Sequence, residues 1–103
     1  MSLWKDRTDP EREQRGERAR QLLADELLVE ALDAIEESCV GRWKLAQTKN
    51  AREDEWRALE AARSFRRTLE LIVLRGKEAA SRRTLRERTA EKAAELLRMR
   101  TRA

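Results

Sequence analysis

The side chains in this sequence best suited to chemistry are arginines, in two groups. Arg82, Arg83, Arg86 and Arg88 form the densest basic cluster. At 3.6 residues per helical turn, Arg82, Arg83 and Arg86 share one side. Arg63, Arg66 and Arg67 form a second group. Guanidinium density of this kind grips backbone phosphates without any base-reading geometry. Both groups are therefore candidate contacts for DNA or for an acidic protein surface. Glu87, Glu91 and Glu95 could instead balance the first group within its own helix, and Glu60 and Glu70 the second. No aromatic residue is interleaved with either group, which argues against stacking on single strands.

Catalysis is not expected. The chain has no histidine and one cysteine, Cys39. A Ser or Cys nucleophile has no imidazole base, an intrachain disulfide is impossible, and there is no basis for a His- or Cys-based metal site in one chain. Gly-rich phosphate loops and the HExxH pattern are absent. Cys39 falls on an apolar stripe and reads as a small core residue. Glu36 and Glu37 read as a solvated face rather than a general acid and base. Trp4, Trp43 and Trp56 read as packing anchors. No metal or cofactor is expected.

The elements that position these residues are helical. Charged residues make up 43% of the chain and aromatics 4%, a balance that belongs to long helices and coiled coils. In the segment 51–74, Ala58, Ala62, Phe65, Leu69 and Ile72 recur at steps of four and three, which returns to one helical face. Leu59 and Val73 widen that seam, and Arg63, Arg66, Arg67 and Glu70 fall towards the other side. Asn50 with Glu53 reads as a capping box. Earlier in the chain, Asp9 caps a helix with Pro10 at its first position. Gly16 weakens the first turns, so the packed part is expected near Glu17. Leu28, Leu32, Ile35, Cys39 and Trp43 form one stripe, and Leu23, Leu27, Ala31 and Ala34 a neighbouring one. An arc this wide implies burial against two neighbours. The turn Gln47-Thr48-Lys49-Asn50 makes the two helices antiparallel neighbours and sets Ile35 level with Phe65, Leu32 with Leu69 and Leu28 with Ile72.

Gly76 is a candidate end for the second helix, with a break or kink within 76–81 and a further helix, 82–98, capped by Ser81, as the preferred reading; the alternative is that the second helix simply runs on. The fold expected is all-α: an antiparallel two-helix hairpin plus a C-terminal basic helix, homo-oligomeric. The segments are a flexible arm (1–8) pinned by Trp4, a helical hairpin oligomerisation core (9–78) and a basic helical tail (79–103). Leu23, Leu27, Ala31, Ala34, Trp43 and Trp56 are the candidate oligomer interface, because Ala-rich helices of this length leave a thin core.

Net charge is +4 but unevenly laid out. Between Gln21 and Gly41 there are six acids and no base, whereas from Arg75 onward ten bases face four acids. The asymmetry suggests a polyanion-binding arm or charge pairing between subunits. No apolar stretch approaches the roughly 20 residues that span a bilayer, and 1–9 has no apolar signal region. A cytoplasmic location is expected, that of the host cell for a viral protein.

The segments RGERARQLL (15–23), EALDAIEE (30–37) and DEWRALEAARSFRRTLELIVLRGKEA (54–79) resemble a group of short all-helical proteins of tailed bacteriophages, encoded beside packaging and head genes. The architecture is also similar to the oligomerisation core of phage small terminase subunits. The N-terminal helix-turn-helix domain and the C-terminal strands of that family are not evident. The resemblance implies a non-catalytic DNA-packaging accessory that oligomerises, as a ring in the small-terminase family, and contacts double-stranded DNA, the large terminase or another phage protein. Two alternatives stand beside it. One is a structural or regulatory protein-interaction module, a virion component or adaptor, without nucleic-acid binding. The other is an RNA-binding helical hairpin dimer with the arginines of both subunits on one face.

Overall fold

A computed structural model describes residues 7–102; the expectation for Trp4 and most of the 1–8 arm lies outside the described residues. Three helices account for nearly all of it: α1 (Asp9–Leu23), α2 (Glu26–Leu45) and α3 (Lys49–Thr101). The described residues form no strand. No helix among them is long and apolar enough to cross a membrane.

Each helix begins at a side-chain cap, and two caps differ from expectation. Thr8, not Asp9, caps α1, its Oγ1 accepting from the Glu11 amide at 3.4 Å. Pro10 sits in the first turn, where its missing amide hydrogen costs nothing. Asp9 is thereby freed for a tertiary role. Thr48, not Asn50, caps α3, its Oγ1 accepting from the Ala51 amide at 3.1 Å. The single first helix expected from Asp9 onward is two. The Ala24 amide donates to Arg20 O and closes α1. Asp25 then starts α2, its Oδ1 accepting from the Leu28 amide at 3.0 Å. Such a cap contributes about 1 kcal/mol, enough to compete with one continued turn.

The break expected within 76–81 is absent, and with it the separate C-terminal helix. α3 runs unbroken for 53 residues, about 80 Å at 1.5 Å per residue. It sets the longest dimension of the molecule, 83 Å.

Both shorter helices pack along α3. Across α2 and α3, Asp33 pairs with Arg66 and Arg42 with Glu55. Across α1 and α3, Asp9 pairs with Arg82 and Glu13 with Arg83. Low numbers on α1 and α2 meet high numbers on α3, so each runs antiparallel to it. The closest approach is at Gly16 and Gly76. A Cβ on either would lie 2.8 Å from the other's Cα, so the two backbones touch. Gly16 does not fray its helix, and Gly76 does not end one. Both are buried at the crossing, with Ala19 and Ala79 one turn further along.

The buried apolar residues are few: Ala19, Leu32, Cys39, Leu59 and Ala79. Ile35 and Phe65, expected to meet in the core, are 50% and 52% exposed. Leu59, placed at the margin of the expected seam, is buried in their stead. Arg66 also departs from expectation. It lies against α2 rather than on the far side of α3, with its Nη2 2.8 Å from Asp33 Oδ1. Its Nε is buried 3.7 Å from Glu36 Oε1, too long for a hydrogen bond.

Candidate interaction site

The arginine cluster of α3 is met by the acids at the start of α1. Arg82 donates to both carboxylate oxygens of Asp9, Nε to Oδ2 at 3.2 Å and Nη2 to Oδ1 at 3.0 Å. Arg86 adds a third bond to Asp9 at 3.1 Å, and Arg12, one turn along α1, a fourth at 3.2 Å. Arg83 grips both oxygens of Glu13 at 3.0 to 3.1 Å and reaches Glu87 along its own helix. Paired forks of this kind are the strong form of the charged hydrogen bond.

These contacts set the local electrostatics. The Arg82 guanidinium, then that of Arg86, holds the Asp9 carboxyl well below the usual carboxylate range. The Asp9 side chain is only 15% exposed, which opposes that shift by penalising the charge. Glu17 is lowered as well, chiefly by its hydrogen bonds from Arg20.

The predicted phosphate-binding residues therefore do not form one patch. Arg82, Arg83 and Arg86 fasten α1 to α3. Arg88 has no ion pair with any described residue. Arg63 and Arg67 both lie near Glu60, at 3.8 and 3.4 Å, and Arg66 faces α2. About 23 Å of helix separates Arg67 from Arg82. The basic residues that sequence reasoning passed over are Lys92, Arg98, Arg100 and Arg102. They stand on the part of α3 that extends past the start of α1, exposed throughout and without ion pairs to described residues. They belong to the excess of bases after Arg75.

The predicted interface residues are open. Leu27 is 74% exposed, and Ala31, Ala34, Trp43 and Trp56 are exposed with it, while Leu23 is half-buried. Leu85, Leu96, Leu97 and Met99 add an apolar side to the projecting end of α3. The clefts between the helices are open to solvent, and among the described residues no group of His, Cys, Asp or Glu is arranged to hold a metal ion. No protein-family model, no curated protein and no solved structure matches the chain. The functional reading thus stands on its own residues.

Proposed function

We propose that this chain is a non-catalytic assembly module of the phage DNA-packaging kind, small-terminase-like. In this reading the helical hairpin self-associates through its apolar face, and the projecting end of α3 contacts DNA or the large terminase. The observation that carries it is the mismatch between core and surface. Five small or medium side chains are buried, while Leu27, Leu45, Leu85, Leu96, Leu97 and Met99 are all exposed by more than half. An exposed apolar surface on so slight a core marks an interaction site. Phosphate contact falls to Arg88, Lys92, Arg98, Arg100 and Arg102, because Arg82, Arg83 and Arg86 would have to leave Asp9 and Glu13 first.

That engagement also favours a second reading, a helical protein-interaction module, virion component or adaptor, that ignores nucleic acid. Binding to double-stranded DNA titrated against salt separates the two. The packaging reading expects affinity that falls steeply, the slope of log K against log salt rising by about 0.9 for each phosphate contact. No binding at low salt leaves the interaction module.

A further inference from the structure

About half of the charged side chains among the described residues make ion pairs within the chain, and several of those that do not, on α1 and α2, are complementary. A cleft between α1 and α3 has an apolar floor of Ala19, Leu22, Leu69 and Ile72 and carries Arg15 and Arg18. Neither arginine has an ion pair with a described residue. Leu22 is 47% exposed and the cleft opens to solvent. On α2, Leu27 is exposed beside a stripe of Glu26, Glu30 and Glu37 at helical spacing. These three acids likewise have no ion pair with a described residue. Asp33 and Glu36, beside them, are already turned to Arg66.

We infer that the cleft of one copy receives Leu27 of a second copy, with Glu26 and Glu30 of that copy meeting Arg15 and Arg18. The inference rests on the homo-oligomeric reading above and names its contact. The division of labour follows from magnitudes. Exposed ion pairs contribute little to affinity, so burial of Leu27 against Leu22, Leu69 and Ile72 supplies the attraction. The charges set which surface is accepted, because a like-charged juxtaposition is strongly penalised. Glu26, Glu30 and Glu37, with no base between Gln21 and Gly41 to answer them, fit this role. The cleft and the stripe are different surfaces, so a variant damaged in one keeps the other.

The test is a charge exchange followed by molar-mass measurement across a concentration series. Wild-type chain is expected to assemble. The R15E/R18E variant and the E26R/E30R variant are each expected to raise the dissociation constant at least tenfold, with helix content unchanged by circular dichroism. Mixing the two variants restores assembly, because each then meets its opposite charge. Wild type that assembles while both variants assemble equally well overturns this contact and leaves the oligomer reading intact. Variants that weaken but are not rescued by mixing also overturn it. Wild type at single-chain mass at every concentration overturns both.

Discussion

Asp9 holds three guanidinium groups, from Arg82, Arg86 and Arg12, and so fastens the start of α1. Its carboxyl is lowered in the folded chain, chiefly by Arg82. A lowered folded-state value means that the stabilisation is complete above the ordinary aspartate pKa of about 3.9 and is lost as pH falls through the lowered one. Asp9→Asn is therefore expected to lower the thermal midpoint at neutral pH. The gap between variant and wild type should narrow steadily once the pH drops below the ordinary aspartate value. A gap of equal size at neutral pH and in acid would show that the charge of Asp9 is not what matters. The Asp9-Pro10 pair was legible as a helix start, but its reach was not. Capping is decided by the next three residues, whereas the arginines that claim Asp9 are more than 70 residues away. Extending the expected antiparallel register past Leu28 and Ile72 sets Asp9 level with Glu91 and Glu13 with Glu87, because that register takes no account of the break at Ala24–Asp25, which shifts α1 along α3 by several residues.

At the scale of the element, glycine carried the main misreading. Gly16 reads as a weak point because glycine costs about 1 kcal/mol relative to alanine inside a helix, and Gly76 as a helix end. The cost is real, but it is offset where two backbones must touch. The three glycines allow a direct comparison. Gly16→Ala or Gly76→Ala places a methyl 2.8 Å from a backbone carbon of the other helix, which forces α1 and α3 apart. Each is expected to destabilise by about 1–3 kcal/mol, as overpacking does, read from urea unfolding midpoints. Gly41→Ala meets nothing within 4 Å and should stabilise by up to about 1 kcal/mol. The same sign at all three sites would mean that helix propensity, not the crossing, governs them. Helix type and the turn near Gln47–Asn50 were readable from the spacing of apolar residues and the break in it. The break at Ala24–Asp25 was not, since alanine is the best helix former and Asp25 looked like one more acid of a charged face. Ile35 and Phe65 were misplaced for a related reason. Periodicity gives an apolar arc, and where that arc is wider than one contact the packing alone selects Leu32, Cys39 and Leu59 for the core.

At the scale of the whole molecule, α3 outruns its partners. Every residue from 81 to 102 is exposed, and the last bonds to α1 are made by Arg86. Composition made the all-helical character legible, but not this projection, because overlap depends on where α1 begins. A helical end without tertiary contacts is held only by propagation from the packed part, and isolated helices of this length are marginal in water. Amide protection in the lone chain should therefore decline along 88–101 and rise when a partner covers Leu96, Leu97 and Met99. Removing 88–103 separates the tasks of the two halves. The shortened chain retains Asp9, Arg82, Arg83 and Arg86, so its unfolding midpoint should stay within about 0.5 kcal/mol of the parent, as for changes remote from packed contacts. The cleft with Arg15 and Arg18 and the Leu27 stripe also remain, so assembly should persist. DNA affinity should fall by about tenfold or more, since Arg88, Lys92, Arg98, Arg100 and Arg102 are removed while Arg66, Arg82, Arg83 and Arg86 are engaged by acids of α1 and α2. A shortened chain that still bound DNA with the parent's salt slope would return phosphate contact to the paired cluster, with Asp9 and Glu13 displaced by the nucleic acid. One that lost its fold would show that the end of α3 supports the core through contacts beyond those with α1.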